Sequence, residues 1–133
     1  MRNFAICLFV LTIFLSCEKL EEVSSIPPST SELQGKWELQ SASCFCFFPD
    51  DFDFGAHNLT FSTTANEVII ENSDDTFFVT GAGTYPVVIE NNRITIKDSI
   101  AYTYRIAGDT LTTNFVDNPQ IADDEISLTY LKL

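Results

Sequence analysis

From residue 35 to the end of the chain, apolar residues recur with a period of two, and no window sustains a helical period. Trp37, Leu39 and Ser41 fall on one side, with Lys36, Glu38 and Gln40 on the other. Leu59 and Phe61 alternate with Thr60 and Ser62, while Ile100, Tyr102, Tyr104 and Ile106 share a side. Successive side chains of a strand point to opposite faces, so this pattern describes strands with one face in a core and the other in water. It predicts about eight of them: 35–43, 57–63, 67–72, 76–80 running on to 84–90, 93–98, 100–106, 110–116 and 125–132. The breaks between runs agree. Asn91-Asn92 is a two-residue hairpin signal, because Asn tolerates positive φ. Ala107-Gly108-Asp109 marks another turn. Pro86, inside a strand pattern, predicts an edge, a bulge or a strand start.

Eight short strands with little chain between them leave no room for helical crossovers and predict an antiparallel meander. Closing that meander removes the sticky edges of an open sheet. The expected fold class is all-β: an eight-stranded antiparallel up-and-down barrel over residues 33–133, following a signal peptide and a flexible linker. A barrel of that size holds its own side chains or one small ligand.

The first residues read as an address. Arg2 precedes Phe4–Leu15, an apolar run broken only by Thr12. Twelve residues fall short of the roughly 20 that a helix needs to cross a bilayer, and they match the apolar part of a secretory signal, here residues 1–16. Leu15-Ser16-Cys17 resembles the lipobox of bacterial lipoproteins, with Phe14 a departure from its usual pattern. The resemblance implies that Cys17 becomes the first residue of the mature chain and carries palmitate-type acyl chains as a membrane anchor; two or more such chains hold a protein stably. Residues 17–32 are expected to be a linker, solvated by Ser, Thr and Glu and stiffened by Pro27-Pro28. Glu18, Glu21 and Glu22 resemble the acidic export signal of Bacteroidota lipoproteins. The expected location is the outer membrane or cell envelope, lipid-anchored on its periplasmic or surface face.

Charge narrows the partners. The whole chain carries 7 basic and 19 acidic residues, a net charge of −12. Removing residues 1–16 takes away Arg2 and no acid, which leaves six basic residues against 19, a charge of −13. Nucleic-acid binding rests on Lys and Arg and is not expected. An acidic solvated body keeps a tethered protein soluble.

Gly35-x-Trp37 at the first strand resembles the lipocalin and calycin barrels. Gly83-x-Tyr85-x-Val87-x-Ile89-x-Asn91-Asn92-x-Ile94 and the end Ile126-x-Leu128-x-Tyr130-Leu131-Lys132-Leu133 are similar to the lipocalin-like domains of Bacteroidota lipoproteins. The resemblance implies that Trp37 closes the barrel floor beside a turn made by Gly35. The first expectation for function is a small apolar or amphipathic ligand held inside the barrel and faced by Phe47, Phe52, Phe61, Tyr85, Tyr102, Tyr104 and Phe115. Lipocalins carry a late Arg over the floor Trp and a C-terminal helix; after Arg105 this chain has only Lys132, and no residues remain for the helix. The alternative is a filled barrel that binds a partner through its acidic rim.

Five Phe residues crowd the segment 44–57, CFCFFPDDFDFGAH. Burial of each is worth roughly 1.5–3 kcal/mol, so all five are expected out of water, as a lid over a cavity or as a plug. Cys44-x-Cys46 is expected as two reduced, partly buried thiols, with a strained disulfide as the alternative. Metal binding lacks further soft ligands beyond His57. Asp50-Asp51-x-Asp53-x-Gly55 looks like part of a calcium loop, but its twelfth position is Ser62 rather than Glu. His57 has no nucleophile motif to serve and is expected in an exposed loop. No catalytic residue, cofactor or metal is expected. Asp98-Ser99-Ile100 and Asp109-Thr110-Leu111 resemble the O-glycosylation motif of Bacteroidota envelope proteins.

Overall fold

The structure, a computed structural model, describes residues 30–73, 76–116 and 126–133. The signal peptide, Cys17, the linker up to residue 29 and the acidic residues Asp117, Asp123, Asp124 and Glu125 lie outside the described residues.

A single helical turn, α1 (Thr30–Leu33), precedes eight strands: β1 (Gly35–Ser43), β2 (Asn58–Ser62), β3 (Glu67–Glu71), β4 (Gly83–Glu90), β5 (Arg93–Ile96), β6 (Ile100–Ala107), β7 (Thr110–Phe115) and β8 (Ser127–Lys132). Each strand pairs antiparallel with the next, and β8 returns to β1, so the sheet closes into a barrel. The alternation explains this directly. In β3, Val68 and Ile70 are buried while Glu67, Ile69 and Glu71 face out; β7 and β8 bury Leu111, Thr113, Leu128 and Tyr130 in the same rhythm.

Two expectations need correction. Ser41 does not share the inner face with Trp37 and Leu39. Leu39 pairs with Tyr130 and Ser41 with Thr129, so the register shifts at Gln40. This bulge reverses the phase of β1: Ser41 becomes exposed, and Ala42 packs against the core. The stretch 76–80 is not a strand either. It belongs to the long connection between β3 and β4, where Phe78 turns onto the barrel mouth and Asn72 donates its side-chain amide to the carbonyl of Thr80 (2.8 Å).

The meander gives the barrel two unlike ends. At one end the connections are tight: β2–β3, β4–β5 and β6–β7 turn through Asn66, Asn91 and Gly108, each at positive φ. The other end carries the long connections β1–β2, β3–β4 and β7–β8. The β5–β6 turn also lies there, with Lys97 and Asp98 both at positive φ.

The tight end is sealed. Trp37 and Leu33 are wholly buried. The indole Nε1–H donates to the Leu33 carbonyl at 2.8 Å, which ties α1 across the barrel floor. Lys132 Nζ lies 5.1 Å from the Trp37 ring centroid and donates to the Glu32 carbonyl (3.0 Å). The one basic residue after Arg105 thus covers the floor tryptophan. Gly35 sits at φ +113°, which L residues avoid, and starts β1 beneath it. Gln34 accepts from both the backbone N–H and the hydroxyl of Thr63 at 2.8 Å, fastening the floor to the β2–β3 turn.

Candidate functional site: an aromatic plug and an exposed tip

Between the two ends the described inward side chains are closely packed. Phe61, Tyr102, Tyr104 and Tyr130 are each no more than 4% exposed, alongside Leu39, Val68, Ile94, Ile96 and Leu128. Burial leaves its mark on the phenols. It pushes Tyr102 up to about 12 and raises Tyr130 further, with Tyr102 adding to the effect. Tyr104 is also raised, by burial first and then by the charge of Glu32.

At the mouth, the β1–β2 connection folds inward. Phe48, Phe52, Phe54, His57 and Phe78 form one cluster of rings. Phe52 and Phe54 centroids are 4.8 Å apart, Phe48 and Phe52 5.0 Å, and His57 and Phe78 5.0 Å. A 3-10 turn, Phe54–Ala56, returns the chain to β2, and the His57 carbonyl accepts from Leu39 N–H at 2.9 Å. The cluster is a plug. Beside it lies a half-open space of about 10 Å³ bordered by His57, Asn58, Ile70, Asn72 and Tyr130, among others. The buried Asn58 Oδ1, which has no hydrogen-bond partner, belongs to a residue that lines it. That is a volume and a polarity for about one water.

His57 is therefore buried (3% exposed), not exposed as expected. Its ring stacks on Phe52 at 5.6 Å, and Nδ1 and Nε2 lie 3.4 Å from Asn72 Oδ1 and Ser73 Oγ. The ring nitrogens face an amide and a hydroxyl rather than Asp51 or Asp53, which are both exposed. The roles of Phe78 and Asn72 at the plug were not legible in the sequence, because 67–72 and 76–80 both carry strand patterns.

The seven aromatics expected around a ligand do not share one place. Phe61, Tyr102 and Tyr104 are core. Phe115 is half-buried, its ring 5.5 Å from that of Tyr102. Tyr85 is half-buried with its hydroxyl donating to the Gly81 carbonyl (2.8 Å). Phe52 is in the plug. Phe47 is 99% exposed and Phe45 91%. Of the five Phe of this segment expected out of water, Phe48, Phe52 and Phe54 are half-buried, and these two stay exposed.

The reason lies in the cysteines. β1 ends at Ser43 and the chain bends at Cys44 and Phe45. Two residues along an extended strand are nearly 7 Å apart; the bend brings Cys44 and Cys46 to a Cα separation of 5.1 Å, within disulfide range. Their sulfurs are bonded, which replaces the expected free thiols. With the sulfurs joined to each other, Phe45 and Phe47 project beyond the plug. The four residues border an open crevice of about 270 Å³. Closing a three-residue loop removes little freedom from the unfolded chain, roughly 1.5 kcal/mol against nearly 5 for a loop of a hundred residues. This disulfide shapes the tip more than it stabilises the barrel.

Asp50 and Asp51 form an exposed turn just behind the tip, and no group of three or more His, Cys, Asp or Glu suited to a metal ion occurs among the described residues. Ser99 is exposed in the β5–β6 turn, and Thr110 is half-buried at the start of β7. No protein-family model and no curated protein matches the chain.

Proposed function

We propose that this chain is a lipid-anchored protein of the cell envelope, of the lipocalin-like type, in which a filled barrel is the rigid mount for a protein-binding tip. The carrying observation is the contrast between the interior and the tip: Phe61 and three tyrosines sealed inside, and two phenylalanines left almost fully in water. Exposed aromatics in a shaped loop are what interface anchors consist of before a partner covers them. The exposed carboxylates of Asp50, Asp51 and Asp53 beside them favour a partner surface that is apolar and basic.

The placing of the tip is compatible with a protein partner. Thr30, where the linker arrives, precedes the floor, and the tip follows the opposite end of β1. The tip and the point where the linker arrives thus lie at opposite ends of β1, which leaves the tip open to a partner other than the anchoring membrane. The small-ligand reading has a weaker basis, since the aromatics expected to face a ligand are divided among core, plug and tip.

The test is a photo-crosslinking amino acid placed at position 47 and, as a control, at position 88 on the barrel wall, in the native envelope. A discrete protein adduct from 47 and none from 88 is expected. Equal labelling from both positions, or a stoichiometric small apolar molecule seen by native mass spectrometry of the extracted protein, overturns the reading. Cys17→Ala is expected to release the chain from the membrane fraction; retention would refute the anchor.

A further inference from the structure

We propose that the Cys44–Cys46 disulfide is a thiol–disulfide exchange site for dithiols carried on apolar, aromatic-containing protein segments. Three observations converge on it. The bond joins residues two apart in one loop and ties no strand to another, so opening it releases nothing that holds the barrel together. Cys46 is exposed and Cys44 half-exposed, and both border the open crevice, so an attacking sulfur has a path to the bond. Phe45 and Phe47 border that same crevice at 91% and 99% exposure, which supplies an apolar surface beside the reactive sulfurs. A disulfide whose role was to stabilise would span a long loop and lie covered; this one is short, peripheral and accessible.

The exchange balances without any other reagent. A substrate thiolate attacks Cys46 Sγ, the more exposed sulfur. The Cys44–Cys46 bond breaks, and Cys44 leaves as a thiolate. The mixed disulfide is then attacked at the substrate's sulfur by the substrate's second thiolate, which releases Cys46. The substrate dithiol loses two electrons and becomes a disulfide. The protein's disulfide gains them and becomes two thiols, which take up the two protons the substrate gave to solvent. The reverse sequence reduces a substrate disulfide when the pair starts reduced.

The aromatic recognition rests on the tip being a docking surface, and the experiment separates the two ideas. The full chain, purified from its membrane, is treated with reduced glutathione, with a dithiol peptide containing Phe and Lys between its cysteines, or with the same peptide carrying Ser in their place. Alkylation and mass spectrometry follow the 44–46 pair, and Trp37 fluorescence follows the barrel. Glutathione is expected to open the pair while Trp37 is unperturbed. The Phe/Lys peptide is expected to react about tenfold faster than its Ser counterpart, the scale of one well-placed aromatic contact. The double variant Phe45→Ala, Phe47→Ala should erase that preference and leave the glutathione rate unchanged. A pair that survives glutathione until the barrel unfolds overturns the proposal, even where the peptide still binds and the docking reading stands. Equal rates for the two peptides overturn the substrate class, whatever position 47 crosslinks to.

Discussion

The two ends of this barrel use aromatic residues in opposite ways. At the floor, Trp37 is wholly buried, hydrogen-bonded to α1 and covered by Lys132 from the last strand. Its neighbours on β1 pair with β2 on one side and β8 on the other, so its place is set by the ladders that close the sheet. At the tip, Phe45 and Phe47 follow the last residue of β1, past its ladder partners, and their position is set by one short covalent bond. The plug of Phe48, Phe52, Phe54 and Phe78 divides the two regimes. What lies below it is coupled to global stability, and what lies above it is free to serve something else.

The largest effect should come from the floor. Trp37→Ala removes the biggest sealed side chain together with its hydrogen bond to Leu33, and truncations of this kind cost about 3–5 kcal/mol. Urea denaturation should show it as a lower midpoint with an unchanged slope. A loss under 1 kcal/mol would mean that the floor is not where the barrel is held.

Alkali probes the same buried region from within. The folded phenols of Tyr102, Tyr104 and Tyr130 are all raised, so the folded state keeps protons that the unfolded chain gives up from about pH 10. Stability is complete below that pH and declines as pH rises to the folded value of Tyr102 at about 12, by about 1.4 kcal/mol per pH unit for each of Tyr102 and Tyr130 while it is protonated only in the fold. Phenolate absorbance and near-ultraviolet circular dichroism should change together. Tyr102 also donates to the Phe78 carbonyl at 3.3 Å, so the β3–β4 connection should loosen in the same window.

How much of this was readable in advance follows the same division. The eight-strand order, the buried Trp37 and the Asn91 turn all rest on local signals, alternation and turn chemistry, which need no tertiary information. The bulge at Gln40 was not legible, because only the pairing of β1 with β8 reveals that one residue is extra. The burial of His57 was not legible either, since its cover comes from Phe78 and Asn72 on a distant connection. The strand pattern at 76–80 misled because Phe77-Phe78-Val79 has the composition of a strand, and the absence of a free neighbour to pair with in a closed sheet is a global fact. Exposed Phe45 and Phe47 contradict the simplest rule of all, and a residue that breaks such a rule is where function is to be sought.

Smaller changes at the floor sharpen the contrast. Gly35→Ala would meet nothing closer than Lys132 Cε at 3.7 Å, so space is not the obstacle; the backbone at φ +113° is. A loss of about 1–3 kcal/mol is expected from strain alone. Lys132→Met keeps most of the packing over Trp37 but removes the cation, at about 0.5–1 kcal/mol for a partly exposed contact of this kind.

The smallest effect belongs to the tip. Phe45→Ser combined with Phe47→Ser removes two rings that touch almost nothing, so the denaturation midpoint should move by less than about 0.5 kcal/mol in stability. In most proteins the loss of two phenylalanines would be severe; here the expected near-silence is the informative result. Apolar rings that give the fold nothing in their present position leave an association as the use for their exposure. A measurable destabilisation would mean that the two rings pack onto the plug in solution, and the division between a coupled interior and an independent tip would then have to be redrawn below Cys44.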